Sequence, residues 1–334
     1  MSRHDHFPRH DPARCRAARA ATDALAEDWR AEDTCPGGLI AAMDALADAP
    51  PAAAIDALLP WLADIGWLRA RLAAALTLIA ADPFARPPLR LVGGGDGPCG
   101  LVLAERGAIR LSLLLQPFTA GAADPVTASF RAGAAAIRIL AGGSARLRRH
   151  RIVGAAARPA FTAAGAGCCE SDPPQPLSKD TILRLDTARE AMTLVGASGD
   201  LLLLDLAVHP PSSLPVQTYD IASGRLVHVA SARRDASFRQ MALALLGAFG
   251  RRDAAPLFVE ATRDDDFAAR WSAMRQLVAL DPAAARAPLA AMAAADPHPE
   301  VRAAASATLA LYPSLCAAQD AHAPDDRPAA DARI

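Results

Sequence analysis

Lysine is almost missing from this chain: of 35 basic residues only Lys179 is a lysine. Acids number 36, so the formal net charge is -1. Such a balance provides no basic excess to neutralise phosphates, and nucleic acid is not an expected partner. Aromatic residues make up only 4% of the chain, too few for the stacking platforms on which single strands lie. Cysteine is sparse too. Cys15, Cys35, Cys99, Cys168, Cys169 and Cys316 include no CxxC pair and no zinc-ligand spacing. The vicinal pair Cys168-Cys169 falls in a Gly/Ala-rich stretch that reads as a loop, and its thiols read as reduced ones. No apolar run approaches the roughly 18 residues of a membrane helix. The longest, such as "LRARLAAALTLIAADP", are cut by charges or proline. The opening "MSRHDHFPRHDPARCRAARAA" lacks the apolar centre of a signal peptide. A cytoplasmic protein with no membrane partner is therefore expected, and the alanine and arginine excess points to a GC-rich bacterial source.

Catalytic signatures are missing as well. No G-x-S-x-G elbow occurs. The glycine-rich "VGGGDGPCG" at 92–100 is not followed by Gly-Lys-Ser/Thr, and no dinucleotide fingerprint links a strand to a helix. No cofactor is expected. "HDHFPRH" offers His4, His6 and His10, but at a terminus with no scaffold to fix their geometry.

What is present describes a globular protein: 52% hydrophobic and 21% charged residues over 334 positions, enough for two or three domains. Residues 1–11 read as disordered. Residues 12–84 read as helix, rich in Ala, Leu and Arg, with prolines at 50–51, 60 and 83 as punctuation. Leu39, Met43 and Leu46, and Leu68, Leu72 and Leu76, recur at helical spacing, and Trp61 and Trp67 are expected to pack in that core or to cover the next domain. From 85 to 232 the period changes. About nine short strands are expected, with no helices between them. Hairpins are placed at Arg106-Gly107 and Ala222-Ser223-Gly224, and a long loop at about 154–179. That pattern means an antiparallel β-sandwich or barrel. Its strand rhythm resembles the cupin family. Metal-binding cupins carry a histidine pair and a carboxylate on early strands. The matching stretch here, "PVTASFRAGAAAIRILAGG", has no histidine.

From 233 to 315 the chain is helical again and repeats itself. "FRQMALALLGAF", "ARWSAMRQLVAL" and "VRAAASATLALY" align Arg239, Arg270 and Arg302 at 31 and 32 residues. Ala242, Ala273 and Ala305 follow three later, Leu246, Leu277 and Leu309 seven later, and Phe249, Leu280 and Tyr312 ten later. Offsets of 3, 7 and 10 trace one helix face. Between these helices Pro256-Leu257 matches Pro288-Leu289, and Asp264 matches Asp296. Each unit therefore reads as a helix, a turn, a proline-started helix and an acidic turn. "DPHPEVRAAASATL" is the clearest copy. The period and its landmarks resemble the HEAT-repeat family in its short bacterial form. The resemblance implies an α-solenoid whose repeated arginines join an inter-repeat ladder with an acid. So short an array needs a neighbour, and the β region is the expected one. Residues 316–334 read as a disordered tail.

The expected architecture is thus α+β: N-terminal helices, a central antiparallel β-domain and a C-terminal HEAT-like solenoid. The expected role is non-enzymatic, as a scaffold that binds an unidentified protein partner through its repeats. Arg233, Arg234, Arg251, Arg252, Arg263 and Arg275 are the candidate partner-binding rim. The alternative is a small-molecule-binding or metal-dependent cupin-like enzyme with its pocket in a barrel. Its candidate ligands are Asp205 and His209, four apart on one strand face, and His228 on a later strand. The two readings predict different interiors: convergent polar groups for the enzyme, and a filled apolar core with an uncovered patch on the repeats for the scaffold.

Overall fold

The computed structural model describes residues 12–82, 84–93, 99–119, 121, 123–154, 165–212 and 214–311. The two expected disordered termini, with His4, His6, His10, Tyr312 and Cys316, lie outside that set. The chain divides into two compact units. The first takes in the residues up to Val153, Cys168–Pro211 and Thr218–Arg225; the second is mainly the chain from Leu226 onward.

The first unit opens with four helices: α1 (Pro12–Thr34), α2 (Leu39–Asp44), α3 (Pro51–Ala63) and α4 (Gly66–Ala81). Pro51 starts α3, where the missing N–H would have had no helical partner. Pro60, expected to break the chain, instead lies inside α3. Its ring is on the exposed side, and Ala54, Ile55, Leu58 and Leu62 are buried on the other. Burial of that face outweighs the roughly 3 kcal/mol that an internal proline costs. Trp61 and Trp67 do pack together, edge to face at 5.7 Å, and the Trp67 indole donates to the Trp61 carbonyl. Arg71 lies between the Trp29 and Trp67 rings and pairs with buried Asp33 at 2.5 Å.

The strands of this unit are β1 (Arg90–Gly93), β2 (Cys99–Arg106), β3 (Ile109–Gln116), β4 (Thr127–Phe130), β5 (Ala134–Ala141), β6 (Arg146–Val153), β7 (Cys168–Ser171), β8 (Gln175–Pro176), β9 (Ile182–Asp186), β10 (Glu190–Val195), β11 (Leu201–Val208) and β12 (Val216–Asp220), the last shared with the second unit. Six form an antiparallel sheet in the order β1-β2-β3-β11-β5-β9. A second sheet runs β10-β6-β7, with β8 also on β6. Neither sheet closes on itself, so the sandwich form of the expectation holds and the barrel form does not. The β2–β3 hairpin turns at Gly107, whose φ of 54° suits a residue without a Cβ.

The centre of the six-stranded sheet, around β11 and β5, is covered on both faces, whereas the edge strand β1 is exposed. On one face, Leu111, Leu113, Leu204, Leu206 and Val208 pack with Leu39, Met43, Leu58, Leu62 and Leu68 of the helices. Arg138 of β5 pins this layer, donating to the Leu62 and Ala63 carbonyls at the end of α3, each at 2.6 Å. On the other face Ile137, Ile139, Leu183, Leu185 and Leu203 meet Leu147 of β6, with Met192 and Leu194 of β10 beside them.

The expected loop at 154–179 is only partly one. β7 and β8 lie within it and pair with β6. Cys168 and Cys169 are therefore strand residues, one exposed and one buried. Gly224, at φ 65°, accepts from the Cys169 N–H, and a Cβ there would stand 2.7 Å from the Cys168 sulfur.

The second unit contains β13 (Leu226–Ala230) and the helices α5 (Arg234–Ala248), α6 (Ala255–Ala261), α7 (Phe267–Leu280), α8 (Pro282–Ala295) and α9 (Pro299–Leu311). They form two helix pairs and a closing helix among the described residues, as the repeat implies. Ala273, Leu277, Leu280 and Ala305 are buried where the repeat places its face, whereas in the first copy Ala242 and Phe249 are exposed. The prolines differ too: Pro256 starts α6, but Pro288 lies inside α8, which begins at Pro282. Asp281 supplies the reason. Its side chain accepts from the Ala284 N–H and caps the helix six residues before the expected start.

Candidate protein-interaction surface

The second unit is held by a ladder of arginines and aspartates at the repeat spacing. Arg239 pairs with Asp264, and Arg270 pairs with Asp296 through two bonds of 2.9 and 3.0 Å. Each aspartate also accepts an N–H two residues on, from Asp266 and from His298. Each aspartate's own carbonyl accepts from the arginine six residues later, Arg270 or Arg302. One acid thus joins two successive arginines and shapes the turn between repeats. The Arg270–Asp296 rung is nearly water-free, with side-chain exposures of 10% and 4%. The implied structural role of the repeated arginines is therefore met.

Beside the ladder runs a groove of about 1060 Å³ between α6, α8 and the turn into α9. Val259, Ala284, Ala291 and Met292 line it with apolar surface, and exposed Arg263 and Asp265 stand at its rim. At one end the rings of Phe267 and His298 stack at 4.2 Å, 17° apart. A groove with apolar walls and a few charges at its edge can hold a peptide segment by its side chains and orient it by its charge.

All six candidate arginines are exposed. Arg233 and Arg251 are each tied to an acid two residues on, Asp235 at 3.1 Å and Asp253 at 2.6 Å. Arg263 lines the groove, and Arg252 lines a smaller hollow near Gly247 and Gln276. Arg234 and Arg275 stand outside both. The structure thus distributes the six over several places and puts one of them at the groove.

The metal triad is not assembled. β11 ends at Val208, and the His209 ring beyond it bonds through Nδ1 to the Ala132 carbonyl. His228 is exposed on β13 of the second unit, whereas Asp205 and His209 belong to the first. Among the described residues no three His, Cys, Asp or Glu side chains gather as a metal would require. Asp205 does face the sandwich interior, opposite Ser112 and Ile137. Burial pushes its carboxyl up to about 6, opposed by nearby Arg110. Burial holds His209 below its ordinary value, helped by Arg131.

Two features escaped the sequence. His150 is fully buried, and its two ring nitrogens bond the Ser171 and Thr193 hydroxyls at 2.8 Å each. Burial lowers its pKa, so the neutral ring that such a hydroxyl pair suits is favoured. Cys169 lies on the same sheet, and burial raises its thiol to about 11, which leaves it a poor nucleophile and a poor metal ligand. Strand alternation carried signal for both, but their stretches read as arginine-rich strand and as loop. The groove left no signal, because its walls come from helices some 30 residues apart.

Residues 225–310 match the family model of HEAT repeats. The match falls on the stretch where the spacing of Arg239, Arg270 and Arg302 implied HEAT-like repeats. No curated protein gives a significant sequence match to the chain. Among solved structures, Fe(II)-HppE with an alternative substrate is 9% identical at a TM-score of 0.25, over 36% of this chain and 55% of its own. CapF from Staphylococcus aureus is 8% identical at 0.26, over 43% and 35%. A Klebsiella pneumoniae protein with a double-stranded β-helix domain is 8% identical at 0.23, over 35% and 82%. The chain thus spans about half of HppE and a third of CapF. At these scores the likeness adds nothing to what the strand pairing shows.

Proposed function

We propose that the chain is a non-enzymatic interaction protein whose HEAT array receives a segment of a protein partner in the groove between α6 and α8. The groove carries this reading. It is large enough for several side chains, is walled by alanine, valine and methionine, and has Arg263 and Asp265 exposed at its edge to select charge. The HEAT match supports it, since repeat arrays present extended surfaces to other chains.

The test is a groove filled from within. Ala291 is exposed and lines the groove, so Ala291→Trp closes it without entering the core. Proteins that co-purify with the wild-type chain from its source cells and are lost with this variant, at unchanged thermal stability, are the expected result. A co-purifying set unaffected by both Ala291→Trp and Arg263→Glu would remove the groove as the binding site.

A further inference from the structure

The first helix of the array carries an apolar row that no described residue covers. Phe238, Met241, Leu245 and Phe249 are 67%, 63%, 56% and 70% exposed. They stand three, four and four residues apart, with Phe238, Met241 and Leu245 on one face of α5 and Phe249 at its C-cap in line with them. The opposite face is the one that packs: Leu243 is buried and Leu246 partly so, against Phe258 and Leu277. An end repeat ordinarily turns a polar face outward, because it has no further neighbour to cover it. From the usual size of such side chains the row exposes on the order of 500 Å², near the upper limit for a lone apolar patch on a monomer.

We propose that this row is the seam of a homodimer in which α5 of one copy lies antiparallel on α5 of a second copy across a two-fold axis. Spacing of three and four residues is what a packed helix offers another helix, so a helix is the fitting occupant. The row reads nearly the same in both directions, with Phe at each end and Met and Leu inside. An axis near residue 243 sets Phe238 against the second copy's Phe249 and Met241 against its Leu245, the self-complementarity that a two-fold interface demands. Ala242 and Ala248 flank the row, are exposed, and let the two backbones approach. Burying both rows removes roughly 1,000 Å², the lower bound of specific interfaces, so the dimer is reversible and responds to concentration. The seam shares no residue with the α6–α8 groove, and its failure leaves the groove reading standing.

Sedimentation velocity of the full chain over a wide concentration series tests this. The expected result is a 34.7 kDa monomer at low concentration that doubles in mass as concentration rises. Leu245→Arg should hold it monomeric at every concentration, and Leu257→Arg, exposed on α6 and off the row, should leave the dimer intact. Unchanged melting of Leu245→Arg excludes a folding defect. As a second measurement, Ala242→Cys lies beside the proposed axis. Mild oxidation should link it into a covalent dimer at a level that the wild-type chain, with its native cysteines, does not reach. A chain that stays monomeric throughout overturns the proposal and leaves the row to another protein or to the chain's own first unit. A dimer indifferent to Leu245→Arg, or one that Ala242→Cys does not trap, overturns it as well.

Discussion

Asp205 shows what a half-buried carboxyl facing a sheet interior costs. Its folded-state pKa of about 6 lies above the ordinary 3.8, so the folded state disfavours the charged form. The unfolded chain ionises first as pH rises. The penalty is therefore fully present above about pH 6, shrinks as pH falls, and is gone below about 4. The gap between the folded and ordinary values corresponds to at most about 3 kcal/mol. Asp205→Asn should accordingly stabilise the first unit by about 2–3 kcal/mol at pH 8 and by almost nothing at pH 4, read from urea unfolding at both. A stability difference that does not close with acid would contradict the assignment. The rungs of the HEAT ladder differ for a related reason. Arg270 and Asp296 are buried together, so Arg270→Ala strands a charge and should cost about 3–5 kcal/mol. Arg239 is half exposed, and Arg239→Ala should cost no more than about 1 kcal/mol. Equal losses in denaturant melts would show that burial does not set the difference. The ladder was legible because each arginine and aspartate recurs in register. His209 and His228 misled because strand alternation tells which face a side chain takes, and tells neither where the strand stops nor which unit it joins.

At the scale of elements, proline was over-read. Pro60 and Pro288 look like boundaries, yet both lie inside helices, where neighbouring contacts dominate local preference. Pro60 faces outward and leaves one helical carbonyl without its N–H. Pro60→Ala should therefore raise the stability of the first unit by about 1–2 kcal/mol, the restored hydrogen bond exceeding the entropy that proline removes from the unfolded chain. A lower melting temperature for this variant would contradict that ordering. The end of α3 depends on Arg138 of β5, whose contact no local pattern could reveal. Arg138→Ala leaves the Leu62 and Ala63 carbonyls without that donor and should cost about 1–3 kcal/mol. β7 and β8 were hidden by composition: glycine, alanine and proline read as loop, and only pairing with β6 makes them strands. The hairpin at Gly107, closed by adjacent residues and a positive φ, was readable directly.

At the scale of the whole molecule, the classes of structure were legible in order: helices, antiparallel strands, repeat helices. Hydrophobic period changes where one gives way to the next. The sheet order was not legible, because β3, β11 and β5 meet over separations of up to 99 residues, which period does not encode. For the same reason the sharing of one core by α2–α4 and the six-stranded sheet appears only in the structure. The proposed function rests on the second unit, where α6 and α8 wall a groove beside the ladder. The most direct test is a photo-crosslinking residue placed at Ala287 or Ala291, both exposed groove positions, with Ala307 on α9 as the control outside it. Irradiated in the source cells, the two groove positions should give the same discrete protein adduct, and the control should not. Adducts absent from the groove, or no different from those at Ala307, would contradict the claim that this array receives a protein partner there.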